Sequence, residues 1–229
     1  MGTFVSDGRT VRRKRFWIRI VWIRLVLLFI SEVMVTRNAS AQSTEHLQSH
    51  ELTFSLGGIS GQTRSLKGSA AGTAQIAADR TLGINYGHHL VGTRVAAVYG
   101  EIEFVAIPNR GVTSATAVVA QNYASLYVTP GVRLKLFPRW RLSPWAAIGG
   151  GYALYEESAQ LSNGQKTTNK FLNRGVLDYA GGVDYRLFRL IGLRGEVRDF
   201  LSGNPNLNAA PTSSTQHNVV ASGGILLRF

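Results

Sequence analysis

From Tyr123 to Leu136 the sequence reads YASLYVTPGVRLKL, and its residues alternate in character with a period of two. Every second residue from Ala124 onward is apolar, whereas the positions between them end in the cations Arg133 and Lys135. Successive side chains of a β-strand point to opposite faces, so this period separates the two sets. The stretch therefore predicts a strand with one apolar face and one face that carries charge.

The same alternation recurs on both sides of this segment. Seven further segments of this kind follow residue 50, and they begin near Leu52, Leu82, Ala96, Trp140, Leu177, Leu193 and Val219. Several of them extend for about ten residues, as a tilted membrane-spanning strand requires. Strands of soluble sheets are typically shorter, at about 5–6 residues. The sequence thus predicts eight strands and little or no helix after residue 50.

The connections between these segments alternate between long and short. The long ones are rich in Ser, Thr, Asn, Gly and Ala, and they cover residues 61–80, 106–121, 156–173 and 202–216. The short ones lie near His88–Val91, Phe137–Arg139 and Phe188–Arg189. Outer-membrane barrels have long outside loops and short periplasmic turns. If the first strand runs outward, both termini lie in the periplasm.

Charged residues occupy only one face of the predicted strands. This face holds six cations and five anions, namely Arg133, Lys135, Arg186, Arg194, Arg198, Arg228, Glu101, Glu103, Asp178, Asp184 and Glu196. A lysine or arginine that faces lipid at the bilayer midplane costs about 2–4 kcal/mol, so the charged face must be the interior. A water-soluble barrel of the lipocalin type has the opposite pattern. We therefore predict an all-β, eight-stranded antiparallel transmembrane up-and-down barrel behind a cleavable signal peptide.

The near balance of the inward charges predicts a filled lumen. An eight-stranded barrel has an interior just wide enough for side chains to fill. Folding the sixth and seventh predicted strands about Phe188–Arg189 places Asp184 opposite Arg194, where opposite charges attract. We expect these two residues to pair within a plug of salt bridges.

Residues 1–41 have the organisation of an export signal. A basic run from Arg12 to Arg15 precedes a mostly apolar stretch, and Ala39-Ser40-Ala41 forms a small-residue cleavage site. The predicted signal peptide is therefore 1–41, and the predicted barrel domain is 42–229. An uncleaved membrane anchor is the alternative, but Arg19 and Arg24 interrupt the roughly 20 apolar residues that a spanning helix needs.

The net charge of +12 does not indicate a nucleic-acid partner, because half of it lies in this leader. Residues 1–41 hold eight Lys and Arg against two Asp and Glu, which leaves +6 for the rest of the chain. The chain has no cysteine, which excludes a disulfide framework, a thiolate metal site and a cysteine nucleophile.

The C-terminal residues of the chain show a regular spacing of polar, glycine and apolar positions. Ser222 is polar, and Gly224 follows it two positions later. The third-last and last positions are the apolar residues Leu227 and Phe229. This spacing resembles the terminal strand of outer-membrane proteins. At the level of pattern, 42–229 is similar to the small OmpA-type and OmpX-like barrel family, and Gly192–Phe200 resembles one of its late strands. The resemblance implies contact with outer-membrane lipids and recognition by the barrel-assembly machinery through the strand that ends at Phe229.

We expect a structural or surface-interaction role for a monomeric barrel with long extracellular loops. A small porin-like channel is one alternative, and a lipid A-modifying enzyme, an acyl hydrolase or acyltransferase, is another. A Ser–His–carboxylate set can activate a hydroxyl nucleophile, and the rim residues available are Ser213, Ser214, His217, Glu156, Glu157 and Asp199. No family motif surrounds His217, so we expect no enzyme and assign no catalytic, cofactor-binding or metal-binding residue. His88 and His89 are adjacent and point to opposite faces, which makes them a poor metal pair.

Overall fold

The computed structural model describes residues 48–67, 72–168, 170–205, 207–208 and 212–229. The predicted signal peptide, 1–41, and the first residues of the predicted domain 42–229 lie outside the described residues. No described helix is long and apolar enough to cross a membrane.

The described residues form ten β-strands. They are β1 (His50–Ile59), β2 (Gln62–Leu66), β3 (Gly72–Ile76), β4 (Asp79–Gly92), β5 (Ala96–Ser114), β6 (Asn122–Leu136), β7 (Leu142–Glu157), β8 (Lys170–Arg186), β9 (Ile191–Gly203) and β10 (Thr215–Arg228).

Eight of these strands close into a ring, which confirms the predicted barrel. Each strand from β4 to β10 pairs antiparallel with the next, and β1 pairs with both β4 and β10. The seam between β1 and β10 extends from the pair Glu51 and Arg228 to the pair Ile59 and Val220. Closure leaves no edge strand in the ring, so every barrel strand has two hydrogen-bonded neighbours.

The remaining two strands and the end of β5 correct the prediction for two of the long loops. Residues 61–80 contain the hairpin of β2 and β3, and residues 106–121 contain the last part of β5. β3 pairs with β5 where Ala74 lies opposite Ser114. The strands β2 and β3 have only five residues each, and Leu66 is the only apolar residue of β2, so any apolar alternation is too short to identify a strand in a sequence.

The two ends of the barrel differ in their connections. The turn end has the short connections 93–95, 137–141 and 187–190, whereas the loop end has 60–78, 115–121, 158–169 and 204–214. The predicted turn at His88–Val91 is wrong, because β4 continues to Gly92 with a bulge between His89 and Val91. The turn forms instead after Thr93, whose hydroxyl accepts hydrogen bonds from the amides of Val95 and Ala96.

The outward face of the barrel is apolar over its middle. Leu56, Ile148 and Val197 are 69%, 59% and 54% exposed, and many other large apolar side chains of the ring are exposed in the same way. Monomeric soluble proteins rarely expose contiguous apolar patches larger than a few hundred Å². A closed ring also pairs its backbone groups internally, as hydrocarbon requires. The outer surface therefore fits lipid, and the inward face is the buried one.

Glycines allow neighbouring strands to approach closely at two places. At the closing seam, a Cβ atom on Gly224 would overlap the backbone of Phe54, and one on Gly57 would overlap the backbone of Ala221. This gives the glycine of the C-terminal spacing a structural reason. Between β6 and β7, a Cβ atom on Gly151 would overlap the carbonyl oxygen of Val128.

We expect Gly151→Ala to lower the free energy of unfolding by about 1–3 kcal/mol, as overpacking typically does. The matched control is Gly175→Ala in β8, because nothing lies within 4 Å of the Cβ position there. Urea unfolding, monitored by heat-modifiable migration on a gel, gives the free energy of unfolding of both variants. Equal stability of the two variants would contradict the close approach of β6 and β7.

Candidate functional site

The inward side chains of the ring form two tiers. The charged tier lies toward the turn end and contains Glu51, Glu101, Glu103, Arg133, Lys135, Asp178, Asp184, Arg194, Glu196 and Arg198. The apolar tier lies toward the loop end and contains Ile59, Val105, Ile107, Tyr123, Tyr127, Tyr155, Val176, Phe200 and Val220. All of these residues are buried.

Glu51 of β1 joins strands on opposite sides of the lumen. Its Oε1 lies 2.5 Å from the Nζ of Lys135, and its Oε2 lies 2.8 Å from an NH2 group of Arg133, both on β6. Arg194 of β9 approaches the same carboxylate at 3.3 Å, and Arg228 approaches it at 3.4 Å. The carboxylate therefore links the first strand to three others.

The predicted pairing of Asp184 with Arg194 is confirmed. The two residues are opposite each other on β8 and β9, and Arg194 donates from Nε at 2.7 Å and from NH2 at 2.9 Å. The Nζ of Lys135 lies 2.6 Å from Oδ2 of this carboxylate, and the indole of Trp145 donates to its Oδ1 at 3.1 Å. Because Lys135 contacts both Glu51 and Asp184, it connects the two carboxylates.

Arg198 of β9 is the second centre of the charged tier. Its guanidinium contacts four carboxylates, at 3.0 Å for Glu101, 3.5 Å for Glu103 and 3.9 Å for Glu196, together with a short ion pair to Asp178. Glu101 also lies 3.4 Å from Arg133, which contacts Glu51. The two centres therefore form one continuous network, and buried charges are tolerated only when they are paired in this way.

The predicted set of inward charges needs two corrections. Arg186 has inward parity but lies half-buried at the turn end, where it donates to the carbonyl of Arg139. Glu51, which the sequence prediction omitted, is 1% exposed and belongs to the network. It shares parity with Thr53 and Ser55, so extending the first predicted strand by one residue would have revealed it.

The apolar tier was also absent from the prediction. Tyr127 stacks on Phe200 with ring centroids 4.5 Å apart, and it packs edge-on against Tyr155 at 6.2 Å. The Tyr155 hydroxyl is within 2.7 Å of the Ser202 hydroxyl and accepts from Gln216 at 2.8 Å. Tyrosines occupy polar parity in the sequence, and their packing partners come from distant strands, so the pattern alone does not reveal this tier.

Arg110 bridges the apolar tier and the loop end. It is fully buried and donates to the carbonyl of Ser60 at 2.6 Å, with further bonds of 3.2 Å to the Tyr123 hydroxyl and to Oδ1 of Asn218. Its partners are neutral, so it is held by hydrogen bonds to the connection after β1, to β6 and to β10.

A cleft of about 470 Å³ lies at the loop end, lined by Lys67, Arg174, Gly203, Asn204, Thr212, Ser213 and Ser214. Arg64 reaches Asn204 Oδ1 at 2.7 Å, and Arg174 Nε donates to the Asn204 carbonyl at 3.2 Å. Cationic and hydroxyl groups that converge on one cleft suit an anionic or hydroxyl-rich ligand.

The candidate catalytic residues are separated by the fold. His217 and Asp199 pair at 2.6 Å on the outward face, where the Tyr179 hydroxyl also donates to Asp199 at 2.7 Å. Ser213 and Ser214 line the cleft, and the Ser213 hydroxyl donates to the Thr215 carbonyl.

The carboxylates of the candidate set also point in different directions. Glu157 is buried and accepts from the Leu207 amide at 3.1 Å, whereas Glu156 is exposed. Across the described ranges, no serine hydroxyl hydrogen-bonds to His217, so a Ser–His–carboxylate triad is not assembled.

The histidines near the turn end do not form a larger metal-binding group. His50 and His88 are cross-strand neighbours with Nδ1 atoms 3.4 Å apart, whereas His89 packs edge-on against Tyr99. Within the part of the chain that the structure describes, no three His, Asp, Glu or Cys side chains are grouped as a metal site.

No protein-family model and no curated protein matches this chain in sequence. Its fold, in contrast, is similar to solved structures. The Neisserial surface protein A (NspA) is 10% identical, with a TM-score of 0.52, over 81% of this chain and 100% of that one. The outer membrane protein OprG from Pseudomonas aeruginosa is 16% identical, with a TM-score of 0.54, over 80% and 97%.

The chain has the fold of the small outer-membrane β-barrels. The closed ring of eight strands, the apolar outward face and the charged lumen of this outer-membrane barrel all agree with that architecture. At these identities the likeness establishes the fold, so its function has to be argued from its own residues.

We expect Lys135→Met to destabilise the outer-membrane barrel by about 3 kcal/mol, at the lower end of the range for breaking a buried ion pair. The loss is limited because Glu51 and Asp184 each retain an arginine partner. The matched control is Lys166→Met, since Lys166 is exposed at the loop end. The midpoint of urea unfolding measures both. Equal midpoints would show that the network contributes little to stability.

Proposed function

We propose that this chain is a monomeric integral protein of the bacterial outer membrane, with a closed lumen and a surface-interaction role at its loop end. The two tiers of the lumen are the observation that carries the proposal. In this role the barrel is a rigid support, and recognition takes place on the connections at the loop end.

The contacts across the lumen support closure. Glu51 reaches from β1 to β6 and β9, and Arg198 reaches from β9 to β5. Above these pairs, the stacked rings of Tyr127 and Phe200 fill the section toward the loop end. A conducting pore needs a continuous column of water, and both tiers occupy the volume where that column would lie.

The orientation that we propose places the turn end and both termini in the periplasm. Short periplasmic turns and longer outside connections are the general arrangement of these barrels. We further propose that the strand ending at Phe229 is recognised by the barrel-assembly machinery. The support is the C-terminal spacing, whose Gly224 lies too close to the backbone of Phe54 for a Cβ atom.

The loop-end cleft supports a surface-interaction role. It presents Lys67 and Arg174 beside Thr212, Ser213 and Ser214. Backbone bonds join the loop-end connections to one another, as from Gln121 to Gln160 at 3.0 Å and from Ala120 to Leu207 at 3.2 Å. We propose that this linked surface binds anionic groups of surface polymers or of other cells.

Planar-bilayer recording tests the closed lumen directly. We expect the purified barrel to give no steady ion-sized current above that of the same detergent without protein, because paired charges and stacked rings fill the lumen. A reproducible unitary current would support the porin-like alternative and contradict closure.

The absence of cysteine allows a clean test of orientation. We expect Lys166→Cys, at the loop end, to react with a membrane-impermeant maleimide on intact cells. Arg189→Cys, at the turn end, is the matched variant and should react only after the outer membrane is permeabilised. Labelling of Arg189→Cys alone on intact cells would show the opposite orientation.

A lipid A-modifying enzyme is the second candidate. The observation in its favour is the contact of His217 with Asp199 on the outward face. We propose that the barrel is not an enzyme, because no described serine hydroxyl lies against this pair. Mass analysis of lipid A from cells with and without the protein distinguishes the two. A shift in acyl-chain number that His217→Gln abolishes would establish the enzyme.

A further inference from the structure

The turn end carries an unusual concentration of positive charge. Its three connections read TRV, FPRWR and LFRL, and they contain arginines but no aspartate or glutamate. We call Arg94, Arg139, Arg141, Arg186 and Arg189 the arginine ring. Four of these side chains are exposed, and Arg186 is half-buried.

The arginine ring has no carboxylate partner among the described residues. None of its five guanidinium groups lies within 4.0 Å of a described carboxylate, whereas Arg228 nearby pairs with Glu51. The carboxylates closest in the sequence, Glu101 and Asp184, point into the lumen and are already paired. Five like charges at one end repel one another, so folding alone does not explain their placement.

Aromatic residues are interleaved with these arginines. Trp140 lies between Arg139 and Arg141 and is 63% exposed, and Phe188 precedes Arg189 and is 69% exposed. Phe137 stacks on Trp140 with ring centroids 4.5 Å apart. Exposed tryptophan and other aromatic rings are typical of the membrane–water interface. The aromatic residues beside the arginine ring are therefore those expected at the level of the lipid headgroups.

The loop end does not share this charge pattern. Its exposed cations include Lys67, Arg80 and Lys166, and they are accompanied by acidic side chains, including Asp79 and Glu156. The single-sign surface is thus confined to one end of the barrel, where it faces one leaflet.

We propose that the arginine ring binds the headgroup phosphates of anionic phospholipids in the leaflet that meets the turn end. The planar guanidinium group matches a phosphate through two parallel hydrogen bonds. A headgroup of the phosphatidylglycerol type leaves its phosphate charge uncompensated, whereas a zwitterionic headgroup carries its own cation. The proposal rests on membrane insertion as proposed above, but not on closure of the lumen.

Trp140 provides a built-in probe for the test. The full chain is folded into vesicles in which a fifth of the lipid is brominated, either as phosphatidylglycerol or as phosphatidylcholine. We expect about twofold stronger quenching of Trp140 by the brominated phosphatidylglycerol, because each cation near an anionic surface adds to local enrichment. Subtracting the fluorescence of a Trp140→Phe variant from that of the wild-type chain isolates the signal of Trp140 from that of the other tryptophans.

Variants of the ring decide between charge and simple proximity. Replacing all five arginines with glutamine should equalise quenching by the two lipids. If this fivefold variant fails to fold, the double variant Arg139→Gln with Arg141→Gln takes its place and should reduce the preference. Replacing the five with lysine should retain most of the preference. The matched control, Arg80→Gln with Lys166→Gln at the loop end, should leave it unchanged. Salt at about 1 M, where the screening length is about 3 Å, should weaken it.

The outcomes separate this proposal from the proposed function. Equal quenching of the wild-type chain by the two lipids, or a preference that survives in the glutamine variant, would overturn the arginine ring as a headgroup site. Absence of quenching by either lipid, together with loss of heat-modifiable migration, would instead show that the chain does not insert.

Discussion

The narrow lumen is the constraint on which the rest of this structure depends. Eight strands leave an interior that side chains fill, so any charge inside it loses most of its water. Glu51, Asp184 and Arg198 are stable there only because partners reach them from opposite walls. The inward residues of β1, β5, β6, β8 and β9 therefore depend on one another, because each charge needs a partner on another strand. The outward residues are not bound by this requirement and can be apolar.

The same constraint explains why so much of the fold could be predicted. A period of two is directly visible in a strand such as β6, and charges of both signs on one parity identify the interior without any tertiary information. The pairing of Asp184 with Arg194 followed from one short turn, since only four residues separate β8 from β9. Contacts across a short turn are local, and local contacts are what a sequence pattern reveals.

The features that escaped prediction depend on distant residues. The hairpin of β2 and β3 owes its place to pairing with β5, and the stacking of Tyr127 on Phe200 joins strands on separate parts of the ring. The cleft that contains Lys67 and Arg174 likewise needs segments from three parts of the chain. The candidate Ser–His–carboxylate set is not assembled, because residues that are close to the same rim in sequence can lie on different faces, as His217 and Ser213 do.

The position of Glu51 has a consequence for how the protein reaches its final state. Its partners Arg133 and Lys135 are 82 and 84 residues away in the chain, and Arg194 is 143 residues away. The carboxylate is therefore compensated only after a distant strand has arrived. A half-formed sheet inserted in lipid would hold a bare negative charge on its first strand. Intermediate states are thereby penalised, and contacts so remote in sequence form slowly. Closure of the ring is accordingly expected to limit the rate of insertion, and half-closed states are expected to be scarcely populated.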